Sequence, residues 1–220
     1  MAELTRTQIV EVFRCLRVTM EDKRDYLIEL DAAMGDGDLG LTMARAFATA
    51  DDFVKESRED DLGKLLMQVG MAIAKSAPST MGTLVATGFM RGGKAVSGKS
   101  ALGAKDVAAF YRAFADGIRE RGKTELGNKT IFDVMEPAAV AAEKAASEPD
   151  ADPVAVVDLA YTSALKGWED TKGMQAQHGR QAYYREKSIG KVDPGATAGL
   201  LIIEATRAAL HGNAPGQNRI

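Results

Sequence analysis

Apolar residues along this chain recur mostly at intervals of three and four, the signature of helices that bury one side. Ile9, Val12, Phe13, Leu16 and Met20 share one stripe, which Leu27 and Leu30 extend. Further runs follow at about 42–55 and 62–76, the second with Leu62, Leu65, Leu66, Val69, Ala72 and Ile73 in line. A fourth starts near Ser79 and stops at the glycines from Gly92 to Gly98, a fifth covers about 104–121, and an alanine-rich sixth covers about 130–147. Asp152 as a cap and Pro153 in the first turn open a seventh that runs to about 173. "DPGATAGLLIIEATRAAL" holds the eighth; its "GLLII" resembles a strand in isolation, but the alanine-rich run around it has helical length. With no hairpin or βαβ pattern in the series, the expected fold is all-α, a bundle of about eight helices. Met174 to Val192 stands apart as a polar, aperiodic stretch, and loops of that length are commonly functional.

Composition fits this picture and narrows the partners. The 220 residues, 45% hydrophobic and 27% charged, suit one domain spanning 1–220. A net charge of -3 with scattered Lys and Arg gives no footprint for nucleic acid or a membrane surface. The single Cys15 excludes an internal disulfide framework and reads as a small core residue on the first helix. Beside only His178 and His211, it also makes poor material for a zinc site. The N-terminal residues carry charges throughout, unlike a signal peptide, and no later run reaches membrane-spanning length, so a cytoplasmic protein is expected.

The chemistry concentrates first in "DAAMGDGDLGLTMARAF", Asp31 to Phe47. Asp31 and Asp36, five apart, cannot share a helix face, so the chain must turn between them. Gly35, free to adopt positive φ, is expected to end the helix there, with Gly37 allowing the tight fold that aims Asp36 and Asp38 at one point. Three converging carboxylates call for a hard cation, and Mg²⁺ combines carboxylates with waters and phosphates. The N-terminus of the helix opening at Gly40, Leu41 and Thr42 adds an anion site, so metal and helix together point to a polyphosphate. An EF-hand is excluded, because its glycine and terminal glutamate positions hold Asp36 and Thr42.

Other stretches offer related chemistry. Ser79 and Thr80 precede a helix and are placed to cap it or to meet phosphate; Gly122, Gly127, Lys129 and Thr130 stand at a loop and helix start that suits the same chemistry, or equally a solvated turn. Asp193 and Pro194 form another helix start, and Arg180 and Arg185 supply planar donors for phosphate. "GKAVSGKS", Gly93 to Ser100, matches the P-loop string, but a P-loop follows a strand, and the run before this one is helical.

Taken together, "DAAMGDGDLGLTMARAF", "SAPSTMGT" (76–83), "RGKTELGNKTIFDVMEPA" (121–138) and "GRQAYYREKSIGKVDPGA" (179–196) resemble the nucleotide-binding L subunit of dihydroxyacetone kinases, the DhaL-type family, over nearly the whole chain. The resemblance implies an antiparallel barrel of eight helices. It implies ADP or ATP bound at one end through two Mg²⁺ ions on Asp31, Asp36 and Asp38. It also implies nucleotide contacts from Leu39, Gly40, Leu41, Thr42, Ser79, Thr80, Gly122, Thr130 or Ile131, Arg180, Asp193, Pro194 and Gly195, with Arg180 steadying charge during transfer. The family has His where this chain has Leu39, and "GGASG" where it has "SAPST". The ketose, dihydroxyacetone or a relative such as erythrulose, would sit on a separate K-type subunit. The donor would be exchanging ATP, or a phosphotransferase-system phosphocarrier that recharges bound ADP. A nucleotide-sensing regulatory module without chemistry is the alternative function. The N-terminal domain of a fatty acid kinase shares the acidic motif but belongs with further domains.

Overall fold

The computed structural model describes residues 2–213, which form nine α-helices and a single isolated bridge between Leu4 and Leu102. The helices are α1 (Arg6–Asp22), α2 (Arg24–Ala32), α3 (Leu39–Glu56), α4 (Leu62–Ser76), α5 (Thr80–Ala95), α6 (Ala104–Gly122), α7 (Phe132–Ala146), α8 (Pro153–Asp170) and α9 (Pro194–Leu210). The all-α expectation holds, and the extra helix has a local cause. The first helix breaks at Lys23 (φ −86°, ψ 4°), whose amide still bonds the Thr19 carbonyl, so the chain bends without losing a turn. The bend lays α2 against α3 and α9.

Side by side, α1, α3, α4, α5, α6, α7, α8 and α9 pack in chain order, and α9 closes the ring on α1. Around this ring successive helices run in opposite directions, through short connections except where α2 links α1 to α3 and where the long 171–193 segment links α8 to α9. The inward faces share one core cluster, in which Phe89 meets Phe13, Phe47, Phe110 and Phe114 with ring centroids 5.2–6.2 Å apart. Cys15 is fully buried on α1, as expected. One crossing is unusually close: Gly167 of α8 lies so near the Asp133 carbonyl of α7 that a Cβ there would sit 2.2 Å from the oxygen. Pro137, four residues on, has no N–H for that carbonyl, which leaves room for the contact. Among the described residues, no helix is long and apolar enough to cross a membrane.

The P-loop string does not become one. It begins in the last turn of α5 rather than after a strand, Gly98 sits in open space at φ +87°, and the Lys99 ammonium pairs with Asp106 at 3.2 Å. The expected caps do form: Asp152 accepts from Val154 at 3.0 Å, Ser79 from Gly82 at 3.0 Å and Asp193 from Ala196 at 2.6 Å.

Candidate nucleotide and metal site

Alternate members of the ring start at the same end. The N-termini of α3, α5, α7 and α9 surround a cleft of about 350 Å³, walled by Leu39, Ser79, Thr80, Thr130, Ile131, Asp193, Pro194 and Gly195. Each helix start brings roughly half a positive charge to its first turn, so the floor of the cleft attracts anions without a cluster of lysines. Met81, Leu84 and Ile131 add an apolar wall.

At the rim, α2 ends and the chain turns through 33–38 into α3. Gly35 works differently from the sequence expectation. The positive φ belongs to Gly37 (+73°), whereas Gly35 is required because a Cβ would fall 2.2 Å from an Asp31 carboxylate oxygen. The amides of Met34 and Gly35 donate to the Asp31 carbonyl at 3.1 and 2.5 Å, and that of Leu39 reaches the Asp31 side chain at 3.4 Å. Carboxylate oxygens of Asp31, Asp36 and Asp38 thereby come within 4.8 Å of one another. Burial, then Asp36 and Asp31, raise the Asp38 carboxyl above its usual range, while Arg180 pulls it down. Close, mutually repelling oxygen donors are what a hard divalent cation relieves, so the residues fit Mg²⁺.

Arg180 reaches this cluster from the far side of the cleft, its guanidinium 2.7 Å from Asp36. It stands on the segment that was aperiodic in sequence, which holds a 3₁₀ stretch, Arg180–Ser188, kinked at Arg185 (φ 47°, ψ −125°). Arg185 lines an outer hollow with Tyr183 and Tyr184 and is not on the cleft wall. Gly40, Leu41, Thr42 and Gly122 also stand off that wall. Gly40 packs α3 on α2, where a Cβ would meet the Arg24 carbonyl at 2.1 Å; Leu41 is exposed; Gly122 lies behind Leu84.

The roles of several residues in and behind the cleft were not visible in sequence. Lys129, expected on a solvated turn, is 2% exposed, with φ +58°. Asp133 organises the same turn, accepting from Gly127 and Thr130 amides at 2.6 and 2.7 Å. Gln181 lines the cleft with a buried, unpartnered side-chain oxygen, and His178 meets Asn128 at 3.1 Å. The spacing of polar residues in an irregular loop marks none of these.

Asp193 is buried, and burial pushes its carboxyl up to about 7 against the pull of the Ala196 amide and Lys129. A carboxyl held above its unfolded value of about 3.9 binds its proton more tightly when folded. Its contribution to stability is therefore complete at low pH and is lost as pH rises through about 7. Asp193→Asn, which can still cap α9, should flatten the fall in denaturation midpoint between about pH 4 and 7. An unchanged slope in the variant would acquit Asp193.

A family model described as the DAK2 domain matches residues 33–208. The chain belongs to the DAK2 domain family. As a DAK2 domain it is 34% identical over 202 residues to the ADP-binding subunit DhaL of the PEP-dependent dihydroxyacetone kinase of Escherichia coli (strain K12), covering 91% of this chain and 95% of that one. It is 32% identical over 186 residues to the DhaL subunit of PEP-dependent dihydroxyacetone kinase 1 of Listeria innocua, covering 84% and 87%. In fold it matches the dihydroxyacetone kinase from C. freundii solved in complex with AMP-PNP and Mg2+, with a TM-score of 0.70 at 20% identity. That match covers 94% of this DAK2 domain and 35% of the larger kinase.

Proposed function

We propose that this chain is the nucleotide-carrying subunit of a dihydroxyacetone-type kinase, holding ADP or ATP with Mg²⁺ and passing a phosphoryl group to a short ketose presented by a separate K-type chain. The observation that carries this reading is the meeting of three aspartates, four helix N-termini and Arg180 around one cleft. A polyphosphate meets oriented amides at the helix starts, and Met81, Leu84 and Ile131 offer an adenine ring an apolar face. Mg²⁺ held by Asp31, Asp36 and Asp38 supplies charge neutralisation for the phosphates. The Arg180 fork, already beside Asp36, is placed to steady two of the equatorial oxygens as the phosphoryl group leaves the nucleotide for the ketose hydroxyl.

The acceptor site is supplied from outside. His178 is turned to Asn128 and His211 to Asp158 at 2.9 Å, and neither belongs to a set of groups that would fix a ketose. Similarity to PEP-dependent, ADP-binding subunits supports the donor route in which bound ADP is recharged by a phosphotransferase-system phosphocarrier. Mixing the purified chain with Mg²⁺, ATP and dihydroxyacetone should give no phosphorylated ketose until a K-type chain is added. Product formed without the K-type chain, at the rate of the two-component system, would refute the division of labour. Turnover sustained by ATP with the K-type chain, and no phosphocarrier, would assign the donor to exchanging ATP.

A further inference from the structure

Lys129 is the one lysine or arginine among the described residues whose side chain is fully buried. Its side chain runs inward from a left-handed backbone position at the start of the α7 turn, where a non-glycine residue is uncommon. Its Nζ donates to the carbonyls of Thr171, Met174, Ser188 and Lys191 at 2.8, 3.2, 2.9 and 2.5 Å. An ammonium has three protons, so four acceptors at these distances share them, and the cage is saturated. Among the described residues the partners of the Lys129 ammonium are carbonyls and not carboxylates; Asp193 acts on it only at longer range. Burying a cation among dipoles alone is costly, and the arrangement persists because those dipoles are fixed and aimed. Thr171 caps the C-terminal end of α8, where carbonyls carry the helix's negative pole, which favours a cation.

These four carbonyls bracket the segment that carries Arg180. Thr171 and Met174 belong to its start, Ser188 and Lys191 to its finish, and Arg180 lies between. The segment has little apolar anchoring of its own, with Tyr183 87% exposed and Ile189 also outside. Cross-ties such as the Gly190 amide to the Lys172 carbonyl at 2.7 Å join the two ends to each other rather than to the barrel. The middle of the segment touches the barrel side through the Gln177 amide to the Asn128 carbonyl and His178 to Asn128, both at 3.1 Å, while Lys129, just before α7, holds both ends of the neck at once from within.

The geometry points to Lys129 as a positioning residue: its caged ammonium closes the 171–191 loop at the neck and so holds Arg180 over the acidic cluster. For its effect on turnover this rests on the phosphoryl-transfer reading; the clamp itself does not. Lys129 touches neither nucleotide nor metal in this scheme and acts through Arg180.

Lys129→Met keeps the length of the side chain and removes the charge. Amide hydrogen exchange across 174–191 should speed up by roughly tenfold or more while the α4 and α5 amides keep their rates. In the two-component reaction, turnover should fall about as far as in Arg180→Lys, with nucleotide affinity within about threefold of the parent. The double variant should be no slower than the worse single one, because both lose the same group's placement. Lys129→Ala should recover loop protection with n-propylammonium and not with propanol. Unchanged exchange in Lys129→Met, or additive losses in the double variant, would overturn the proposal. Accelerated exchange with full turnover in both single variants would keep the clamp and refute the transfer role of Arg180. Should the Met variant fail to fold, the parent protein decides. A proton–nitrogen correlation spectrum at neutral pH should show a slowly exchanging Lys129 ammonium, and its absence would overturn the cage.

Discussion

Asp36→Asn is expected to weaken binding of Mg²⁺-ADP by roughly 100-fold, close to 2.7 kcal/mol, with helix content unchanged by circular dichroism. Asp36 is one of three carboxylates whose oxygens lie within 4.8 Å of one another, and its loss removes a full negative charge from a site suited to hard-cation ligation. The same change takes away the partner of Arg180, which lies 2.7 Å from it. Little of the fold depends on Asp36. It is half exposed, outside the helices, and the turn around it is built from Asp31, Gly35 and Gly37. Calorimetry with and without Mg²⁺ separates the cation's part from that of the helix starts. Unchanged affinity in the presence of Mg²⁺ would remove the acidic cluster from the site. Loss of binding in Lys99→Ala would move the phosphates to the 93–100 stretch.

Arg180→Lys should lower phosphoryl transfer in the two-component system by roughly 100-fold while nucleotide affinity stays within about threefold. Lysine keeps the charge but not the planar fork, and a fork is what meets two equatorial phosphoryl oxygens at once. The effect falls on turnover because those oxygens gain charge density only as the group departs. Arg180 is well exposed and its one ion pair is at the surface, so folding should be indifferent to the change. Single-turnover measurements read the chemical step directly, and a normal rate in a normally folded variant would leave Arg180 as a surface charge.

Which of these features a reader of the sequence could see depends on whether side chains or backbone carry the information. Helices bury stripes, so Leu62 to Ile73 and Val107 to Ile118 announce α4 and α6 through their spacing. The caps at Ser79, Asp152 and Asp193 are equally visible, since the residue type is itself the hydrogen-bond acceptor. The acidic motif shows that carboxylates and glycines belong together, but not that Gly35 serves by lacking a Cβ and Gly37 by its φ. The bend at Lys23 has no glycine or proline to mark it and keeps the preceding hydrogen bond, so the stripe runs through it almost in phase. Lys129 is the least legible. Its partners are four main-chain carbonyls, which every residue possesses, and nothing in "GNKT" distinguishes a lysine that turns inward from one in water.

The alternation of helix direction around the barrel also governs how a ligand arrives. The cleft is lined by four helix starts, but the ends of the intervening helices come to the same end of the molecule, so the opposing poles cancel beyond a turn or two. At longer range a nucleotide meets only a net charge of -3, which is mildly repulsive to a polyanion. This is a short-range trap without a lure. Capture gains nothing from steering, and whatever tightness the site achieves is stored in the time the nucleotide stays.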